Sequence, residues 1–405
     1  MMVQKFGNTP VGYRWCALAV LLAICLVTIS SAGSPPSDEW FRIFDSTEII
    51  LYSVQAPPGG GYVAGGEAAL GAAVVFLNET GYPDRIAYIQ GEIVSTAYIF
   101  VREMPADGLL LVTDRQEIIA ASPAAKPRWT YVPGENRTIR AIDTADGGAV
   151  LVAEADRSVL IRLSGEGEEE WILPLPSGDG ADRYHARSVR SLPGGGAVVG
   201  GSVAAPEGTS AFLLVAGDDG AIVREQQYPQ YEEITAVQPV SGGGYMGAAT
   251  GADDVTSSTA GGAVFLLVIA PDGSVRSERP VTGYFSSVVI LTPLSDGGCL
   301  IAGPAPESPG SAGGFMILRT AANGKTEWTR MIPDAVVTSV QQTPDGGYII
   351  GGLRRSVSED AGASFLIKMA PETAPTPASA GEPGLITGMA LAVLAAGFGR
   401  KIRRS

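Results

Sequence analysis

The fold this sequence predicts is an all-β, seven-bladed β-propeller built from four-stranded antiparallel blades. Three observations predict it. A Gly-rich turn leading into a short apolar strand recurs seven times. The flanking segments alternate apolar and polar residues as strands do. A strand that matches the end of a repeat, Glu39–Ile43, stands ahead of the first one. Four strands per repeat of this length is the pattern of propeller blades.

The marker reads PPGGGYVAGG at 57–66, ADGLLLV at 106–112, ADGGAVLVA at 145–153 and PGGGAVVGG at 193–201. It returns as SGGGYMGAA at 241–249, SDGGCLIAG at 295–303 and PDGGYIIGG at 344–352. Its glycines at 61, 108, 148, 196, 244, 298 and 347 are spaced 47, 40, 48, 48, 54 and 49 residues apart. Each unit parses as four strands. Strand A ends at the turn, as in VVTSVQQ before Pro344. Asp-Gly-Gly offers the positive φ of a two-residue hairpin, so strands A and B pair directly. Strand C is apolar (AVVFLN, SVLIRLS, AFLLVAG, AVFLLVIA, FMILRTA, SFLIKMA), and strand D often carries Trp, at 129, 171 and 328. The second repeat is the least regular.

The last repeat stops after strand C at 365–370. Glu39-Trp40-Phe41-Arg42-Ile43 matches Glu327-Trp328-Thr329-Arg330-Met331. The N-terminal strand is therefore expected to complete the seventh blade, closing the ring and removing the exposed edges of an open array. One domain is expected at 36–371.

Charge and the two ends frame that body. All 42 acidic residues but only 22 of the 28 basic ones lie between Gly33 and Pro383, so this stretch carries −20. Such a body repels nucleic acid, which is excluded as a partner. Cys16 and Cys25 lie in the N-terminal apolar run, leaving Cys299 alone in the body as an expected buried strand residue. Residues 1–32 read as a signal peptide, with an uncleaved anchor as the competing reading: Lys5 and Arg14, then the apolar run Cys16–Ile29, then Ser30-Ser31-Ala32 for cleavage. Residues 371–383, rich in Pro, Ala and Thr, read as a spacer. Residues 384–399 form an apolar transmembrane or sorting helix, and 400–405 a basic cytoplasmic tail.

Pro383-Gly384-Leu385, the short apolar helix and the Arg-rich end resemble the C-terminal sorting signals of archaeal surface proteins processed by an archaeosortase (PGF-CTERM type), departing from Pro-Gly-Phe at Leu385. The body resembles the secreted DGG-repeat propellers of prokaryotes and archaea, which implies the fold and not an activity. Together they imply an exported, surface-anchored binding or structural module of the cell envelope, monomeric in its body. Its partner would be an envelope or extracellular protein or glycan, and the membrane would be reached through the C-terminal helix. An extracellular propeller enzyme, quinoprotein-like or acting on polysaccharide, is the alternative.

No nucleophile elbow, phosphate loop or His-Glu-x-x-His motif occurs, and no catalytic residue, metal or cofactor is assigned. The binding face is expected where the B–C and D–A loops emerge, with B–C loops at 204–210, 251–262, 304–313 and 354–363. There, 177–187 carries Asp179, Asp182, Arg183, Tyr184 and His185. His185 is the sole histidine, a plain surface loop residue or a general base but not a multi-His metal site. Asp179 and Asp182 offer oxygen ligands to calcium, or simply turn acids. Tyr228 and Tyr231 are candidates to stack on sugars or to pack at the rim, and Arg354 and Arg355 to meet an acidic glycan or to stand as an exposed loop pair. Asn78 and Asn136 head glycosylation sequons, in a C–D turn and a D–A loop respectively.

Overall fold

The computed structural model describes residues 33–372 except 45–48, 69–70, 89–97, 105–107, 114, 135, 177–182, 207, 241–242, 252–262, 282–283, 286–287, 306–312, 323 and 355–362. The chain divides into two compact units, Met1–Ala370 and Pro371–Ser405. The signal-peptide and C-terminal assignments lie outside the described residues, as do Asp179, Asp182 and Arg355.

The first unit is a propeller of seven four-stranded antiparallel sheets. Blade one is β2 (Ile49–Gln55), β3 (Tyr62–Ala68), β4 (Gly71–Leu77) and β5 (Pro83–Tyr88). Blade two is β6 (Tyr98–Met104), β7 (Gly108–Thr113), β8 (Ile118–Ala121) and β9 (Pro127–Tyr131). Blade three is β10 (Thr138–Ala145), β11 (Gly148–Glu154), β12 (Ser158–Leu163) and β13 (Glu169–Pro174). Blade four is β14 (Arg183–Ser191), β15 (Ala197–Ala205), β16 (Gly208–Ala216) and β17 (Ile222–Tyr228). Blade five is β18 (Glu233–Pro239), β19 (Tyr245–Thr250), β20 (Val264–Ile269) and β21 (Val275–Pro280). Blade six is β22 (Ile290–Pro293), β23 (Cys299–Pro304), β24 (Gly314–Thr320) and β25 (Thr326–Pro333). Blade seven is β26 (Ala335–Gln342), β27 (Tyr348–Arg354), β28 (Ala363–Met369) and, from the other end of the chain, β1 (Asp38–Phe44).

The expected closure is present. β1 pairs with β28, Trp40 opposite Lys368 and Phe41 opposite Ile367, and the Ala370 amide donates to the Ser37 carbonyl at 2.9 Å. The A–B turns differ from the expected two-residue form. In blade seven the Gly346 amide bonds Thr343 O and the Thr343 amide bonds Gly347 O, making a three-residue loop that ends in Gly346 at φ +83°. That is a type I turn with its left-handed residue last, so the second glycine of Asp-Gly-Gly belongs to the strand side. Blade three does use two residues, Asp146 and Gly147, both at positive φ. The B–C connection of blade four is also shorter than expected, because β15 and β16 run to Ala205 and from Gly208.

Among the described residues the core falls into seven apolar clusters, each between two adjacent blades. Val150, Leu160, Val199 and Phe212 join blades three and four, while Leu300, Ile317, Tyr348 and Phe365 join six and seven. Burial between sheets accounts for the apolar strands B and C, which are covered on both faces. Cys299 is fully buried in β23, where burial pushes its thiol up to about 11, away from reactivity.

Candidate functional site

The innermost strands of the ring carry a recurring irregularity. A β-bulge interrupts strand A between Leu51 and Ser53, Tyr98 and Phe100, Ile139 and Ala141, Ala186 and Ser188, Ile234 and Ala236, and Val337 and Ser339. Opposite three of these bulges stand the glycine pairs Gly65-Gly66, Gly200-Gly201 and Gly351-Gly352 of strand B. A Cβ at Gly201 would lie 2.9 Å from Ala186 Cα and 2.8 Å from the Phe212 ring, so the bulged backbone presses into space that only glycine leaves. Bulges re-aim side chains and are common beside sites. The residues pushed out include Arg140, Arg187 and Thr235, on three successive blades.

These three line a central cavity of about 240 Å³. Its walls come from β10, β14 and β18, with Val112 and Gln116 of blade two and Val289 ahead of β22. Arg190 is a third cation in the lining. Arg140 Nε lies 2.6 Å from Glu154 Oε2, and Arg187 Nε lies 3.2 Å from Glu233 Oε1. Glu154 also meets His185 Nδ1 at 2.8 Å. Burial alone would raise the Glu154 carboxyl, but hydrogen bonds from His185 and Arg140 outweigh it and hold the group below its ordinary range. Gln116, itself in a left-handed turn, accepts the Ile139 amide at 2.6 Å and fixes the bulge of blade three. Guanidinium groups held on strands by ion pairs behind them suit recognition of planar anions.

The sequence missed Arg140, Arg187 and Arg190. For Arg187 the signal was the Gly200-Gly201 pair of strand B, which marks a bulge on the strand before it; Arg140, whose bulge faces Val152 and Ala153, and Arg190 carried no such mark. The residues it did select are placed as follows. Arg183 is exposed at the start of β14, and His185 lies within that strand rather than in a D–A loop. Tyr184 is buried, edge-on to Phe212 at 5.0 Å, with its hydroxyl on Glu225 and the Gln227 amide. Tyr228 is buried with its hydroxyl donating to Gly273 O at 2.7 Å, and burial pushes its pKa up to about 12. Tyr231 is buried with its hydroxyl on Glu278. Both Tyr228 and Tyr231 present no open ring face for a ligand to stack on, being core between blades four and five. Arg354 is exposed at the end of β27, three blades away from His185. Asn78 Oδ1 accepts the Thr80 amide, the Thr80 hydroxyl and the Tyr82 amide, so it shapes the C–D turn of blade one. Asn136 is exposed between β9 and β10 at φ +63°.

A second cavity, about 470 Å³, lies at the seam where blade seven meets blade one. Glu39, Trp40, Tyr62, Glu79, Asp345 and Lys368 border it. Burial, with Asp345, Glu39 and Glu79 nearby, pushes the Tyr62 phenol up to about 12, so it stays a neutral donor. Among the described residues no three of His, Cys, Asp and Glu converge as a metal centre.

Comparison with solved structures finds similar folds. The C-terminal WD40 domain of Sif2 matches with a TM-score of 0.52 at 10% identity, over 84% of this chain and 99% of that one. BBS1N, solved in complex with ARL6DN, matches with a TM-score of 0.52 at 12% identity, over 84% of this chain and 98% of that one. A protein of unknown function from Bacteroides caccae matches with a TM-score of 0.42 at 12% identity, over 64% of this chain and 90% of that one. At these identities the likeness is one of fold. No protein-family model matches the sequence, and no curated protein does.

Proposed function

We propose that this propeller is an exported binding module of the cell envelope, displayed outside the cell by the segment 384–405. One observation carries the binding reading. At the hub, guanidinium groups from successive blades are fixed by carboxylates behind them, Arg140 by Glu154 and Arg187 by Glu233. Side chains braced in this way on rigid strands are pre-organised for recognition, which lowers the cost of binding. The basic end, the apolar stretch before it and the apolar leader support export and anchoring.

The test uses the full chain in a prokaryotic host. Protease added to intact cells should remove the body, and deletion of 384–405 should release it to the medium. Cross-linking on intact cells should then capture an envelope protein or glycan. A body protected inside intact cells would overturn the export reading. A displayed body that captures nothing would overturn the binding one.

A further inference from the structure

The hub inverts the charge of the molecule around it. Residues 33–383 carry −20, yet among the described residues the lining of the central cavity holds Arg140, Arg187 and Arg190 and no carboxylate. Glu154 and Glu233 stand outside that lining. They grip Arg140 and Arg187 through Nε, which leaves the Nη pair of each guanidinium to donate. A planar pair of donors of that kind matches the two oxygens of a carboxylate.

The remaining walls narrow the ligand class. Gln116, Ser188 and Thr235 add neutral polar groups, while Ile139, Ile142 and Val289 add apolar surface. A sugar ring needs both: hydroxyl partners at its rim and an apolar wall for its C–H face. At about 240 Å³ the cavity falls below the usual range of roughly 300–1,000 Å³ for drug-sized ligands, and suits one sugar unit.

We propose that the hub binds the carboxylate of a sugar acid, either free or as the terminal unit of an acidic polysaccharide. This deepens the binding-module reading and rests on it. The recognition is held by Arg140 and Arg187, with Arg190 deeper in the lining.

The experiment is calorimetric titration of the full chain in detergent with galacturonate, galactose and inorganic phosphate. Galacturonate should bind, and galactose, which lacks the carboxylate, should bind at least about tenfold more weakly, as the loss of a charge-assisted hydrogen bond implies. Added NaCl should weaken galacturonate binding. Arg140→Gln and Arg187→Gln should each lower its affinity about tenfold. Thr235→Glu adds a carboxylate to the lining while removing no cation, and should abolish binding with the melting temperature unchanged. Tighter binding of trigalacturonate than of the monomer identifies the polymer as source, and equal binding identifies the free acid; both sustain the site. Equal affinity for galactose, phosphate binding as tight as galacturonate, or binding untouched by the three variants would overturn it. If galacturonate does not bind but the chain still captures an envelope partner on intact cells, this site falls while the binding-module reading stands.

Discussion

Trp129 in strand D of blade two lays its indole over Gly167 in the C–D turn of blade three, and its Nε1 donates to Gly165 O at 2.7 Å. Trp40 does the same to blade one, reaching Glu79 O at 3.0 Å, and Trp171 to blade four, reaching Asp218 O at 2.9 Å. Where the position holds arginine the bond persists: Arg85 reaches Pro123 O and Arg224 reaches Asp272 O in the next blade. Five strands D thus clamp their neighbour's turn at the rim. The glycine beneath is required twice over. Gly167 sits at φ +83°, and a Cβ there would come within 2.6 Å of the Trp129 ring. Gly167→Ala should therefore cost about 1–3 kcal/mol, visible as a lower melting temperature. Trp129→Phe keeps the apolar body and loses the donor, and should cost about 1 kcal/mol. Should Gly167→Ala leave the melting temperature unchanged, the clamp has no energetic role.

Strand C and the A–B turn share a second device, which explains an irregularity among the repeats. Lys368, buried in β28, meets Asp345 of the turn at 2.8 Å and Glu39 of β1 at 3.4 Å. Arg319 meets Asp296 and Glu327 in blade six, and Arg162 meets Asp146 and Glu170 in blade three. In blade four, where the turn reads Pro-Gly-Gly-Gly, the cation is replaced by Val215. In blades three, four, six and seven acid and cation are present or absent together, since either alone would strand a charge. Asp345→Gly and Lys368→Val should each destabilise, whereas the pair, recreating blade four, should cost less than the sum by about 1 kcal/mol or more. Strict additivity in denaturant midpoints would refute the coupling. The pH dependence has a definite sign. Burial would raise the Asp345 carboxyl, but bonds from Lys368, Thr343 and the Gly347 amide win and hold it below its ordinary 3.8. A lowered folded value means stability present above that ordinary value and lost as pH falls through the folded one. Glu154 acts with the same sign. Melting temperature should fall on acidification below about pH 4, less steeply in Asp345→Asn. At this scale the strands were legible from turn chemistry and period alone. The Arg140–Glu154–His185 network was not, because a bulge turns one residue out of an alternating strand and no local pattern names its partner across the sheet. For Tyr228 and Tyr231 the structure holds the packing alternative, and Tyr184 is buried as well: beside turns these rings look exposed, but the neighbouring blade covers them.

For the whole molecule, the decisive contact is between the first strand and the last. The displaced strand Glu39–Ile43 was legible because its residues copy 327–331, and internal repetition carries long-range information that single strands lack. Arg330 grips Asp38 through both Nη groups, and Gly33 bonds Glu327 O, so β1 is bound to blade six as well as to β28. Moving residues 33–44 to follow Ala370 through a short hairpin should give a protein of the same melting temperature, since Ala370 and Ser37 are already bonded. Removing 33–44 should leave β28 as an open edge and drive association, measurable by light scattering. An unaltered monomer would show that closure is dispensable. The closing strand also sets a schedule. Six blades are assembled from neighbouring segments as they arrive, but the seventh waits for the end of the chain to meet its beginning. A polypeptide leaving the ribosome stays an incomplete circle until its final repeat has emerged, so the joint between first and last strand certifies that the seventh blade has been made.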